Sequence, residues 1–429
     1  MNRKLTGVLL AALLGACSTT GQQGAGAALP APDTNAEVLS GTILWSARMP
    51  EHWNGTLLVH SRGWSPAAGQ PGLAPGQVTE ALLAQGYALA ASNYGSGGWA
   101  LAEAVPAQEA VIAAFTHRYG KPKRVIGFGY SMGGLVTTAL AERSRPKIDG
   151  GISFCSSMGG ALAMMNTGLD GAFVFRTLVA PDAGIEVVGI ANDQSNGALV
   201  RTAVQEAAKT PAGRARIALA GVFGGIPGWT QANRPQPAAA DAEAQSEQII
   251  GSFPGGVFLP RSEQEQRAGG NFSWNTGIDY TQLLNTSGRR AMIEALYAKA
   301  GIRLEDDLAR LAAAPRISAD PRAVEYMRSY YTPTAKPAVP LLAVQAFGDG
   351  TTSPSLQRSY AENAPPKMMD SQYVARAGHC PFSVEETLAA VHRLEARLES
   401  GKWPPRAPPF VPHEPAPLLR PCIQGKSCL

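Results

Sequence analysis

The sequence predicts an α/β protein, with a mostly parallel sheet flanked by helices and a large, mainly helical insertion. Short apolar, β-rich segments alternate with helical patterns along residues 38–156 and 339–403, as in a parallel sheet with crossover helices. Between 157 and 338 the alternation stops, and helical segments are separated by loops rich in Gly, Pro and Asn. Hydrophobic residues make up 45% of the 429 residues and charged residues 16%, which suits a large buried core and excludes a disordered chain.

Apolar periodicity and turn residues place the individual elements. The predicted strands of the two core segments are 37–46, 56–60, 87–92, 124–128, 151–154, 339–346 and 372–376. The predicted core helices are 76–85, 107–119, 132–142 and 383–399. Within the insertion, helical patterns cover 196–223, 281–300 and 304–313. The C-terminal segment 404–429 has eight prolines by residue 421, so we expect it to lie extended, outside any helix or central strand.

The first 16 residues have the pattern of an export signal. Arg3 and Lys4 precede an apolar stretch that is too short to span a membrane, and small residues lead to Cys17. The sequence LGAC at 14–17 resembles the lipobox of bacterial lipoproteins, in which the cysteine thiol is acylated and becomes the mature N-terminus. An ordinary secretory signal that contains a cysteine by accident is the alternative.

This resemblance implies a location and an organisation for the N-terminal part of the chain. Residues 1–16 are expected to be a signal peptide, and residues 17–37 a flexible tether. Several acyl chains on Cys17 would anchor the protein to a membrane of the bacterial cell envelope. Ser18, directly after the acylated position, favours the outer membrane over the inner one.

The motif that carries chemistry is Gly129-Tyr-Ser131-Met-Gly133, which has the form G-x-S-x-G. A predicted strand runs directly into it and a predicted helix leaves it. Such a strand–tight turn–helix presents a serine at a helix N-terminus, and both glycines are needed because the neighbouring backbones leave no room for side chains. A glycine-rich turn with an idle serine is the alternative.

With this motif the chain resembles the α/β-hydrolase family, over roughly residues 38–156 and 339–400. In that family an acid and then a histidine follow the serine along the chain. Asp349, in a Gly-Asp-Gly turn after a predicted strand, resembles the acid, and His379, in Ala-Gly-His after the next strand, resembles the histidine. The resemblance implies that Ser131 is the nucleophile, His379 the general base and Asp349 the orienting acid, with the insertion as a cap domain.

The resemblance also implies an oxyanion hole made of two backbone N–H groups. One belongs to Met132, directly after the serine. The other comes from the loop His60-Ser-Arg62-Gly63-Trp64, where Gly63 matches the family's His-Gly pattern and makes Trp64 the second donor. Arg62 stands where histidine is common, so a register in which His60 is the match would move the donor along the chain.

Apart from the lipobox cysteine, the chain contains four cysteines: Cys155, Cys380, Cys422 and Cys428. An oxidising compartment would permit two disulfides in any of three connectivities. Cys380 follows the predicted catalytic histidine and Cys155 ends a predicted strand, so both are expected near the carboxyl edge of the sheet. We predict the pairs Cys155–Cys380 and Cys422–Cys428, with buried free thiols at Cys155 and Cys380 as the alternative.

Together these features predict a serine hydrolase that cleaves carboxylic esters, small or oligomeric, through an acyl-enzyme on Ser131. No metal or cofactor is expected, since no cysteine pair has zinc-ligand spacing with histidine. The net charge is +4 with the basic residues scattered, so no nucleic-acid partner is expected. A peptidase or amidase, a C–C bond hydrolase with the same triad, and a non-catalytic binding lipoprotein are the alternatives. Nothing in the sequence defines an oligomeric state.

Overall fold

The protein is represented by a computed structural model that describes residues 36–426 and Cys428. The predicted signal peptide, Cys17 and all but the last two residues of the predicted tether lie outside the described residues. Within the described part, no helix is long and apolar enough to cross a lipid bilayer.

A single eight-stranded sheet runs through the described part of the chain. Its strands are β1 (Glu37–Ser40), β2 (Ile43–Arg48), β3 (Thr56–Ser61), β4 (Ala88–Ser92), β5 (Arg124–Tyr130), β6 (Gly150–Phe154), β7 (Leu341–Gly348) and β8 (Met369–Ala377). They lie in the order β1-β2-β4-β3-β5-β6-β7-β8. β2 pairs antiparallel with β1 and β4, whereas every pair from β4 to β8 is parallel. The mostly parallel sheet predicted from the sequence is confirmed.

Helices cover both faces of the sheet and fill the long segment between β6 and β7. Those of the two core segments are α1 (Val78–Ala84), α2 (Leu101–Tyr119), α3 (Met132–Ala141), α13 (Pro354–Asn363) and α14 (Val384–Ser400). Between β6 and β7 lie α4 (Ala161–Leu178), α5 (Asp193–Ala207), α6 (Pro211–Phe223), α7 (Ala242–Val257), α8 (Ser262–Ala268), α9 (Tyr280–Thr286), α10 (Arg290–Ala300), α11 (Leu304–Ala313) and α12 (Pro321–Tyr331). We call residues 161–331 the helical region.

Two predicted core elements have the wrong extent. The predicted strand 37–46 is two antiparallel strands, because Gly41, at φ 54°, turns the chain between β1 and β2. The predicted helix 107–119 begins earlier, at Leu101, and continues through Pro106. Proline usually ends or kinks a helix, so the predicted helix began after Pro106.

Two predicted helical segments of the insertion are each divided in the structure. Residues 196–223 belong to two helices, because Thr210 caps a new helix with Pro211 in its first turn. Residues 281–300 divide at Gly288, which has φ 69° and separates α9 from α10. Helical periodicity alone does not reveal such breaks, since the apolar face continues across them.

The helical region has an apolar core of its own. Phe173, Phe223, Phe253, Ile249 and Leu311 are all at most 1% exposed and belong to one apolar cluster. Further apolar clusters pack against the two faces of the sheet. The region therefore has the burial that a stable helical domain needs.

The C-terminal segment after α14 has no helix in its described residues, 401–426 and Cys428, and it packs closely on the rest of the molecule. The backbone N–H of Val411 donates to the Tyr373 carbonyl on β8 at 2.9 Å. Further on, Arg420 donates to the Asp170 carboxylate of α4 at 2.9 Å, and both side chains are fully buried. Burial raises the pKa of Asp170, while Arg420 opposes that rise by its charge and its hydrogen bond. This ion pair fixes the end of the chain to the helical region.

Candidate active site

Ser131 occupies the tight turn between β5 and α3. It follows Tyr130, the last residue of β5, and precedes Met132, the first residue of α3. Its φ of 57° lies in the left-handed region, which residues other than glycine rarely adopt. The Ser131 N–H donates to the Phe154 carbonyl of the neighbouring strand at 3.0 Å, which helps to hold this conformation.

The two glycines of the motif make this turn possible. A Cβ atom on Gly133 would collide with the Ser61 carbonyl oxygen and lie 2.6 Å from the Arg62 carbonyl oxygen. A Cβ atom on Gly129 would lie 2.8 Å from the same Ser61 oxygen. Both distances are too short for any side chain, so the end of β3 packs directly on the turn. The lack of room for a side chain at both glycines was predicted from the sequence.

The structure brings Ser131, His379 and Asp349 into one hydrogen-bonded row. His379 Nε2 lies 2.9 Å from Ser131 Oγ. His379 Nδ1 lies 2.9 Å from Asp349 Oδ2. The three residues follow β5, β8 and β7, whose carboxyl ends share one edge of the parallel sheet, the usual place for a site in such folds.

Asp349 is completely buried, and the turn that follows it satisfies its carboxylate. The backbone N–H groups of Thr351 and Thr352 each donate to Asp349 Oδ1 at 2.9 Å. Thr352 Oγ1 lies 2.9 Å from Asp349 Oδ2 and 3.2 Å from His379 Nδ1. Sequence reasoning missed Thr352, although its place three residues after the acid is typical of a side chain that caps a turn.

Two opposing effects act on the pKa of His379. Burial by itself lowers the pKa of an imidazole, because it disfavours the charged form. The negative charge of Asp349 and the hydrogen bond to it outweigh burial, so the pKa of His379 lies above its ordinary value of 6.5. The ring is therefore a stronger base than a free imidazole, and 20% of its side chain remains exposed.

A disulfide joins the histidine loop to the core sheet. Cys155, directly after β6, is bonded to Cys380, with 5.3 Å between the two α-carbons. Cys380 is the residue after His379, so the bridge restrains the backbone that carries the imidazole. Cys422 and Cys428 are also bonded, with α-carbons 4.4 Å apart. Both pairings predicted from the sequence are present in the structure.

The loop after β3 passes directly over Ser131. A Cβ atom on Gly63 would lie 3.4 Å from Ser131 Cβ and 3.9 Å from Ser131 Oγ, so the Gly63 backbone borders the hydroxyl group. Trp64 is the next residue of this loop. Met132 begins α3, and the first N–H groups of a helix have no acceptor within the helix. Met132 is thus the neighbour of Ser131 in sequence, and Gly63, the residue before Trp64, is its neighbour in space.

His60, the alternative match in this loop, lies inside β3. Its ring is buried, and Nδ1 donates to the Gly72 carbonyl at 2.5 Å. Burial lowers the pKa of His60 to about 4, and the charge of Arg62 adds to this effect. The neutral ring packs against Phe128, with 5.0 Å between the ring centroids. His60 is a structural residue of the sheet.

Arg62 is a buried cation in the loop after β3, and no role was predicted for it from the sequence. Its Nη1 donates to the Gly63 carbonyl at 3.0 Å, and its Nη2 to the carbonyls of Asn93 at 3.2 Å and Ser96 at 2.5 Å. The guanidinium lies over the Tyr94 ring, 4.5 Å from its centroid. No carboxylate lies within 4.0 Å among the described residues, and the buried Nε has no acceptor.

One group of side chains has the composition of a metal site but cannot serve as one. Ligand atoms of Asp349, His379 and Cys380 lie within 4.8 Å of one another. The sulfur of Cys380 is bonded to Cys155 and therefore offers no thiolate. The other two residues already hydrogen-bond each other.

The fold and this site define the protein as an α/β-hydrolase. A relative in Xanthobacter agilis, described as an o-phthalyl amidase, is 30% identical over 408 residues, which cover 84% of this chain and 86% of the relative. The chain belongs to the family of that amidase, and it is an enzyme of the hydrolase class. No protein-family profile matches the chain.

Solved structures similar to this one include a proline iminopeptidase from Mycobacterium smegmatis, at 14% identity over 86% of this chain and 98% of that chain, with a TM-score of 0.38. An esterase from Aspergillus oryzae is 12% identical over 86% of this chain and 80% of that chain, with a TM-score of 0.39. Likenesses at such scores carry no argument about the reaction.

The link between Asp349 and His379 predicts a specific titration. Replacing Asp349 by Asn removes the charge that raises the pKa of His379 and leaves the burial that lowers it. We therefore expect the His379 midpoint, followed by NMR of the imidazole protons, to lie above 6.5 in the wild type and to move to lower pH in Asp349→Asn. Assignment of the signal would use a His379→Gln protein.

A matched control is Asp279→Asn, because Asp279 caps α9 and Asn caps helices equally well. The control should leave the His379 midpoint unchanged. An unaltered midpoint in folded Asp349→Asn protein would contradict the electrostatic account of this pair.

Proposed function

We propose that the protein hydrolyses amides of aromatic carboxylic acids, of the o-phthalyl type, by acyl transfer to Ser131. The observation that carries the proposal is the hydrogen-bonded row Ser131–His379–Asp349 at the carboxyl edge of the sheet. The bond and the acyl group are suggested by the related o-phthalyl amidase, which shares most of its length with this chain.

The geometry supports a two-step acyl transfer. Ser131 Oγ attacks the carbonyl carbon while His379 Nε2 accepts the hydroxyl proton. The oxyanion of the tetrahedral intermediate accepts hydrogen bonds from the N–H groups of Met132 and Trp64. His379 then gives its proton to the leaving nitrogen as the C–N bond breaks. Water, deprotonated by His379, attacks the acyl-enzyme, and the carboxylic acid leaves with Ser131 regenerated.

The environment of the histidine suits the demands of an amide. An amine leaves only after it is protonated, so the imidazolium must persist until the C–N bond breaks. Asp349 stabilises the imidazolium, and the turn at Thr351 and Thr352 holds the carboxylate in place. Orientation and charge therefore support the same step.

Ester hydrolysis is the second candidate, and the same residues favour it. An alkoxide or phenoxide leaves more readily than an amine, so a site that cleaves amides has all the groups that an ester requires. The relationship to an amidase supports neither a C–C bond hydrolase with the same triad nor a non-catalytic binding protein.

The helical region is proposed to act as a cap over the site. Arg267 of α8 donates to Ser96 Oγ at 2.7 Å, and Glu263 of the same helix accepts from the Trp99 N–H at 2.9 Å. These contacts tie α8 to the loop that Arg62 also contacts. We propose on this basis the division into core 38–156, cap 157–338 and core 339–403.

The proposed nucleophile is tested by substitution and by labelling. A fluorophosphonate probe should label wild-type protein at Ser131, and Ser131→Ala should lose both labelling and ~10⁴–10⁶-fold of the activity, because members of a triad act as a unit. Ser400→Ala, at the end of α14, is the matched control and should keep both. A folded Ser131→Ala protein with a tenth of the wild-type rate would rule out the assignment.

The substrate class is tested with three matched compounds: o-phthalyl p-nitroanilide, benzoyl p-nitroanilide and p-nitrophenyl benzoate. For each compound, kcat/KM is divided by the rate of the uncatalysed reaction. We expect this ratio to be highest for the o-phthalyl amide. Preference for benzoyl over o-phthalyl anilide would remove the o-phthalyl part of the proposal. Turnover of the ester alone would favour the esterase candidate.

We further propose that Arg62 is a positioning residue for the oxyanion hole. Its hydrogen bond to the Gly63 carbonyl acts on the same peptide unit whose N–H belongs to Trp64, so it fixes the plane of that unit and polarises the N–H. Its charge is not neutralised by a carboxylate, and it lies on the carbonyl side of this peptide unit, opposite the Trp64 N–H.

Arg62→Gln should therefore lower kcat with little change in KM, by ~10–100-fold, somewhat less than the loss of a direct oxyanion donor. Arg118→Gln, which removes a half-exposed guanidinium on α2, is the control and should leave both constants unchanged. If Arg62→Gln raised KM alone, the residue would bind substrate and would not position the hole.

The location is proposed separately: a lipoprotein anchored through Cys17 in the cell envelope, with the outer membrane favoured. The lipobox-like sequence at 14–17 supports it. Cys17→Ser should abolish acylation and give unprocessed precursor or released protein, as measured by membrane fractionation and intact mass. A Cys17→Ser protein that fractionates with membranes at the wild-type mass would refute this proposal.

A further inference from the structure

A second cavity lies away from Ser131 and His379, neither of which borders it. Its volume is about 290 Å³. Three parts of the chain form its walls: the helical region, the residues around the Asp349 turn, and the C-terminal segment 413–419. This volume is close to the lower end of the ~300–1,000 Å³ typical of small-molecule sites.

The walls of this cavity are largely apolar. They include Val222, Ile226, Trp229, Phe347, Leu418 and Leu419. On the side of the tail, the His413 ring stacks on Phe347 with 4.0 Å between the ring centroids. A cavity with such walls favours a ligand that has a flat or branched apolar body.

Arg289 brings a positive charge to the edge of this apolar space. Its Nη1 donates to the Ile226 carbonyl at 2.6 Å. Its Nη2 has only a long contact to Gln245 Oε1 at 3.4 Å and one to the Met292 sulfur, a weak acceptor, at 3.3 Å. No carboxylate lies within 4.0 Å of it among the described residues.

Arg289 resembles the buried Arg62 in having no carboxylate partner, and it differs from three other buried arginines. Arg261, Arg393 and Arg420 each form an ion pair with a carboxylate. Burial lowers the pKa of Arg289 to about 10, which still leaves the guanidinium charged at neutral pH. A desolvated charge without a counter-charge is costly, and a bound anion would relieve that cost.

The acid nearest to this cavity is already engaged. Glu414 borders the cavity, but its side chain is 87% exposed and it lies 3.6 Å from Arg358. Arg289 also directly precedes α10, whose N-terminal end carries the positive pole of the helix dipole. The local field at this end of the cavity therefore favours an anion.

We propose that this cavity is a second binding site, for a small organic monoanion with an apolar body such as an aromatic carboxylate. The carboxylate pairs with Arg289, and the ring packs on the wall that contains Trp229 and Phe347. The Trp229 carbonyl packs directly against Gly348, where a Cβ atom would collide with it. An occupant therefore contacts the residues that flank Asp349 without entering the catalytic cleft.

The test is calorimetric titration of the full-length protein with benzoate and with its neutral analogue benzamide. The proposal expects benzoate to bind at one site, and benzamide at least 10-fold more weakly. Arg289→Gln should weaken benzoate binding at least 10-fold. Arg118→Gln is the control, because Arg118 lies on α2 and does not border the cavity, and it should leave benzoate binding unchanged.

Three results would overturn the proposal: no uptake of benzoate, equal affinity in Arg289→Gln, or loss of binding after a fluorophosphonate has modified Ser131, which would place the ligand beside the catalytic residues. If Arg289→Gln does not fold, Leu418→Trp fills the cavity from the tail and should abolish binding. Crystals soaked in 4-iodobenzoate give an independent measurement: an anomalous iodine peak inside the cavity supports the site, and a peak only beside Ser131 contradicts it. Binding does not depend on turnover, so its failure would not affect the proposed reaction.

Discussion

The close contact between the end of β3 and the turn at Ser131 is the constraint on which the rest of the site depends. The carbonyl groups of Ser61 and Arg62 pack against Gly129 and Gly133 at distances that exclude a Cβ atom. This contact forces Ser131 into its left-handed conformation and places Gly63 beside its hydroxyl group. One packing contact thus brings together the turn at Ser131 and the loop of Gly63 and Trp64, because that loop continues directly from β3.

The remaining parts of the site reach the same edge of the sheet through strand pairing. β6 and β7 are hydrogen-bonded neighbours although the whole helical region lies between them in sequence. The chain can therefore leave the sheet for the helical region and return to it without disturbing the register that positions Asp349. The Cys155–Cys380 bridge acts in the same sense, since it ties the loop after β8 to the residue after β6. Thr352 adds a polar link, because its hydroxyl lies 2.7 Å from the Cys155 carbonyl.

Much of the sheet and of the row Ser131–His379–Asp349 could be predicted from the sequence, because local signals carry them. A buried parallel strand is a short apolar run, and the serine turn has fixed glycines. Arg62 and Thr352 could not be placed in the same way. The partners of Arg62 include carbonyl groups of a distant segment, which become neighbours only after folding. The spacing of Thr352 from Asp349 is a local signal, but its contacts with His379 and Cys155 also arise only after folding. The division of 281–300 into two helices was missed because one glycine inside a helical pattern is usually tolerated.

The buried pair Asp170–Arg420 has a consequence for the order in which the chain completes its structure. The two residues are 250 positions apart, and Arg420 is among the last ten residues of the chain. A growing polypeptide presents Asp170 long before its partner exists, and removing one partner of a buried ion pair typically costs ~3–5 kcal/mol. The interior of the helical region can therefore close around α4 at full strength only after residue 420 has been synthesised, because Asp170 lacks its buried partner until then.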